Sequence, residues 1–91
     1  MQSTQEKLTW EKTAKEKFDT MMARIPLFHR EIARVVVVKK AELNAQERGC
    51  ALVEEGDIVQ AFLTEVPKAF FSLMIRLFNE VGFEYKEFVS K

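Results

Sequence analysis

Residues 24–42 read RIPLFHREIARVVVVKKAE, and the fold turns on whether the valines at 35–38 form a buried strand or part of a helix. Taken alone the run favours a strand, because β-branched side chains fit a pleated surface better than a helical one. A strand needs a turn at each end, and Arg34 on one side and Lys39-Lys40 on the other supply no turn chemistry. Wound at about 100° per residue, Phe28, Ile32, Val35, Val36 and Leu43 fall on one side, and Leu27, Val38, Ala41 and Ala45 gather on a second. The pattern predicts a helix packed on two sides, where burial outweighs valine's helix penalty of a few tenths of a kcal/mol.

Pro26 sets the start of this helix, since proline suits the first turn and drives the preceding Ile25 out of the α region. Gly49 marks its end, as a residue that reaches the left-handed conformation at no steric cost. The interval 26–48 spans about 34 Å if helical throughout. Upstream, Trp10, Ala14, Phe18, Met21, Met22 and Ile25 make one stripe of an amphipathic helix, with Thr9 as the expected cap and Glu11 in the first turn. Downstream, Cys50 to Val53 reads as extended, Ile58, Val59, Phe62, Leu63 and Val66 return to helical spacing, and Pro67 opens a further helix that Gly82 closes. That last helix is apolar nearly all round, and the tail FEYKEFVSK fits either a short strand or a helical turn. The prediction is an all-α single domain over residues 1–91, with four or five helices around a long central one. Its short–long–short order resembles the histone fold in shape, an analogy that implies no function.

A chain of 91 residues, 47% apolar and 31% charged, supports one core. One cysteine, Cys50, cannot form an internal disulfide, and the polar start MQSTQEK lacks a basic-then-apolar signal, which points to the cytoplasm. The apolar stretch AFFSLMIRLF is about half the length of a membrane span and contains Arg76. Net charge is zero, divided as +3 over residues 1–49 (ten basic, seven acidic) and −3 over 50–91 (four and seven). A nucleic-acid binder ordinarily concentrates its basic groups, because phosphate neutralisation supplies much of its affinity.

No residue pattern points to catalysis or to a metal. His29 has no second ligand at helical spacing, where a metal site ordinarily needs three or four; axial haem ligation, which takes one histidine, stays open. Cys50 follows a helix C-terminus, where the partial negative charge disfavours a thiolate. Glu54, Glu55 and Asp57 sit where a helix dipole favours carboxylates and match no calcium loop. The aromatic run Phe70, Phe71, Phe78, Phe83, Tyr85 and Phe88 exceeds what so small a domain is expected to cover, marking 67–88 as a face for a protein partner or for self-association.

Trp10, the segment Ile25-Pro26-Leu27-Phe28 with Arg30, and Glu42-x-x-Ala45-x-x-x-Gly49 followed by Val53 and Asp57-Ile58-x-x-Ala61 resemble the small protochlorophyllide reductase-type domain. This domain forms the C-terminal appendage of one component of the light-independent reductase and also occurs as a free-standing protein. The resemblance covers residues 8–63; residues 64–91 add the apolar helix and tail. Between Arg30 and Glu42 this chain is about one helical turn longer, and Glu54 stands where the family carries threonine. The resemblance implies a helical cover near a tetrapyrrole pocket, with the iron-sulfur chemistry held by other domains, and one cysteine could not hold a cluster. The expectation is a non-catalytic binding or accessory module without a cofactor of its own, contacting a protein partner or an apolar tetrapyrrole-like ligand. Trp10, Phe28, Phe70, Phe71 and Phe78 would supply apolar contact, and Arg30 would be available to an anionic group. The alternative is a histone-fold-like nucleic-acid binder using Arg30, Arg34, Lys39 and Lys40.

Overall fold

The computed structural model describes residues 8–89. In chain order they form β1 (Thr9–Trp10), α1 (Lys12–Arg24), α2 (Leu27–Glu47), β2 (Leu52–Val53), α3 (Glu55–Glu65), a 3-10 turn (Lys68–Phe70), α4 (Phe71–Val81) and α5 (Lys86–Val89). The chain is mostly helical, as expected, and α1, α2 and α3 show the short–long–short order.

The start of α1 differs from the expectation. Thr9 is no cap: it donates its N–H to Ala51 O at 2.9 Å, and Thr9 and Trp10 pair in parallel with Leu52 and Val53. Glu11 caps α1 instead, its carboxylate accepting from Ala14 N–H at 2.8 Å, an arrangement the dipole also favours. Trp10 therefore sits just before the helix whose stripe it was expected to open. Ala14, Phe18, Met21, Met22 and Ile25 of that stripe are buried.

The valine run is helical from end to end, inside α2. Pro26 caps this helix in extended backbone, and Gly49 closes it at φ +79°. Val37, Ala41 and Ala45 are fully buried, and the two alanines, with no side chain beyond Cβ, let α3 lie close alongside. The opposite side is not enclosed. Leu27, Phe28, Ile32 and Val35 are 73%, 79%, 69% and 63% exposed, and Leu43 is exposed as well. The expected two-sided packing is corrected to one side, because among the described residues the chain places no element over the other.

The apolar surplus of residues 67–88 is largely absorbed. Past Gly82, at φ +94°, the chain folds back so that Phe83 meets Phe78 edge-on at 5.9 Å and Tyr85 stacks on it at 5.6 Å. A chain of rings then runs through the core from Phe78 to Phe62 at 5.9 Å, Phe62 to Phe18 at 6.0 Å and Phe18 to Trp10 at 5.3 Å. The tail is helical over Lys86–Val89, and Phe88 packs on Gly56 of α3. Residues 90 and 91 of the tail lie outside the described residues.

Candidate functional site: an apolar groove beside the long helix

Two prolines place the walls of a groove. Pro26 fixes where α2 begins, so that His29, Ala33 and Val36, spaced three or four residues apart, share one flank of its first half. Pro67 ends α3 and turns the chain through the 3-10 segment into α4, which brings Val66, Phe70, Leu73 and Met74 opposite. The groove between them has a volume of about 310 Å³. Its lining is apolar except for His29 and Glu65. Ile32 forms part of the rim and is itself exposed, so the groove is continuous with the bare face of α2.

His29 is one of the two polar groups of the lining. Its ring packs 4.2 Å from Phe28 and edge-on to Phe70 at 5.5 Å, so an aromatic surface flanks an imidazole that can donate or accept one hydrogen bond. Cys50 lies beyond the far end of α2. The rise from His29 to Glu47 alone is about 27 Å, so the two cannot form a nucleophile–base pair. Among the described residues no three His, Cys, Asp or Glu side chains converge as a metal site.

The anticipated contact residues do not assemble in one place. Phe70 lines the groove and Phe28 borders it through His29. Phe71 is half-buried and outside the lining. Phe78 is fully buried in the ring chain and is a core residue, a correction that follows from the fold-back after Gly82. Trp10 packs on Phe18 and donates its Nε1–H to Glu42 Oε2 at 3.1 Å, which ties β1 to α2. Arg30 is corrected in the same way: its Nη2 donates to Ala23 O at 3.1 Å and Ile25 O at 3.0 Å, closing the α1–α2 corner.

No family model, curated protein or solved structure matches this chain.

Trp10, Arg30, Glu42 and Asp57 act here as ties of the fold. Besides Trp10–Glu42 and the Arg30 corner, Asp57 is buried and receives Arg48 through both carboxylate oxygens, Nε to Oδ1 at 3.0 Å and Nη2 to Oδ2 at 2.6 Å. Asp57 Oδ2 also accepts Glu54 N–H at 2.9 Å, completing a capping box at the start of α3. The hydrogen bonds that Arg48 donates to Asp57 push its guanidinium pKa further above its ordinary range. Arg48 reaches Leu52 O at 3.1 Å and Cys50 Sγ at 3.2 Å as well, and so gathers α2, β2 and α3 at one corner. Glu55 of the acidic cluster meets Lys17 at 2.6 Å, which accounts for it structurally. Arg48 is missed by spacing arguments, because the sequence offers many acidic partners and only the close packing of α2 on α3 selects Asp57.

The basic side chains of the nucleic-acid alternative make no common face. Arg30 turns to the corner, and Arg34 and Lys39 project about 140° apart around α2. Among the described residues no helix is long and apolar enough to cross a membrane.

Proposed function

We propose that the protein is a non-catalytic accessory module that receives an apolar ligand of tetrapyrrole type in the groove between α2 and residues 65–74. The observation that carries this reading is a 310 Å³ apolar groove with one imidazole set between two phenylalanines. Pockets that hold small ligands are mostly apolar with a few placed polar groups, and about 300 Å³ is the lower end of their range. A macrocycle would enter by one edge, with Phe70 and His29 against its face and the remainder over Ile32 and Phe28. The resemblance of residues 8–63 supports the tetrapyrrole class, although Val66, Phe70, Leu73 and Met74 come from beyond it. A second reading is a protein partner inserting an apolar side chain, favoured by the exposed Leu27 and Phe28 at the rim.

A titration with a water-soluble porphyrin tests the reading through the Soret band. The expected result is a saturable shift that disappears in Ala33→Trp, which fills the groove from its α2 wall. A flat Soret response in the parent chain removes the ligand reading. A shift that survives Ala33→Trp removes the groove as its location.

A further inference from the structure

We infer that the exposed face of α2 is a docking surface for a second copy of this chain, arranged antiparallel about a two-fold axis at Val35. The inference stands apart from what fills the groove.

On this face Glu31, Val35 and Lys39 follow one another at i, i+4 spacing, within about 80° around the helix, and each of them is exposed. Read outward from Val35 the row runs to a charge in either direction, and the sign of that charge inverts. Such a row complements itself only when reversed. A two-fold axis through Val35 sets Glu31 of each copy beside Lys39 of the other and Val35 beside its own counterpart. Glu31 and Lys39 each lie about 6 Å from the axis along the helix. A crossing near −50° brings the i±4n rows of two helices side by side, the commonest class of helix packing in globular proteins. Antiparallel pairing also sets the two helix dipoles in opposite directions.

Two observations accord with this arrangement. Glu31 and Lys39 form no salt bridge among the described residues, which leaves both charges available to a second copy. The apolar groups beside the row, Phe28 and Ile32, are 79% and 69% exposed, and lone exposed apolar side chains are ordinary whereas a contiguous set marks an interface. A standard interface covers about 800 Å² per partner, about one-seventh of this chain's 5622 Å² of accessible surface. Such a homodimer is isologous, so one patch serves both partners.

Charge reversal tests the register, with sedimentation velocity over a concentration series as the readout. Glu31→Lys and Lys39→Glu each replace two opposite-charge pairs per dimer by two like-charge pairs, and each is expected to weaken self-association at least about tenfold. Mixed in equal amounts, the two variants complement each other at both positions and are expected to dimerise as the parent does; the double variant Glu31→Lys/Lys39→Glu is expected to recover on its own. Unchanged far-ultraviolet circular dichroism in each variant shows that the fold is kept. The inference is overturned by a parent chain that stays monomeric across the series, by single variants that dimerise undiminished, or by a mixture that stays monomeric.

Discussion

The two ends of α2 share one helix and hold their surroundings by different physics. Between Glu42 and Arg48 three polar side chains are committed: Glu42 accepts from Trp10, Asn44 donates to Asp57 O at 3.0 Å, and Arg48 grips the Asp57 carboxylate. From Leu27 to Val36 six of the ten side chains are apolar, Arg30 ties the corner to α1, and Leu27, Phe28, Ile32 and Val35 are bare. One end fixes the fold and the other leaves surface to be covered. A buried ion pair is weak evidence of net stabilisation, yet losing one partner strands the other in a place where water cannot replace it. An exposed apolar side chain has the opposite profile: its removal costs the monomer little and costs an interface much.

The largest effect is therefore expected at the committed end. Arg48→Met leaves the buried Asp57 carboxylate without its cation, and urea unfolding should register a loss of about 3 kcal/mol. That is a large part of the roughly 5–15 kcal/mol typical of small domains. A loss below about 1 kcal/mol would mean that water reaches Asp57 past the partly exposed arginine, and the contrast between the ends would fail. Next, Trp10→Phe keeps the ring against Phe18 and removes the donor to Glu42, with an expected loss of about 1 kcal/mol in the same experiment. Gly49→Ala should cost about 1 kcal/mol for a different reason. Nothing lies within 4 Å of the added Cβ, so the cost is entirely that of holding alanine at φ +79°. Gly49→Asn, which tolerates this conformation better, is expected to lose less; equal losses would point to a cause other than backbone strain.

The smallest stability effect belongs to the bare end. Phe28→Ser should leave the unfolding free energy of a dilute sample within about 0.5 kcal/mol of the parent, as surface substitutions do, while self-association at high concentration weakens. A drop of several kcal/mol in the dilute sample would show that Phe28 supports the fold itself, through His29 and Phe70.

The features legible in the sequence are those whose causes are local. Pro26, Gly49, Pro67 and Gly82 act through the backbone of their own residues, and each marks a boundary within a residue or two of where the structure puts it. The stripe of α1 is legible because its polar positions alternate with apolar ones at helical spacing. The site is less so. Phe70 stands out in the sequence, but His29 has no second ligand to mark it, and the groove becomes visible only when the segment after Pro67 is seen to cross the first half of α2.

Sequence alone determined that the chain is helical, where the long helix begins and ends, and that the valine run lies within it. Tertiary structure decided which face of that helix is inside. Both faces carry apolar residues, so periodicity could not rank them; the small side chains of Ala41 and Ala45 admit α3 closely, and the bulk of Phe28 and Ile32 is left outside. It decided also that Thr9 and Trp10 form a strand, since two residues have no strand character until a partner about forty positions away supplies the hydrogen bonds. The same close approach of α2 and α3 joins Arg48 to Asp57, a pairing in space that no local pattern encodes.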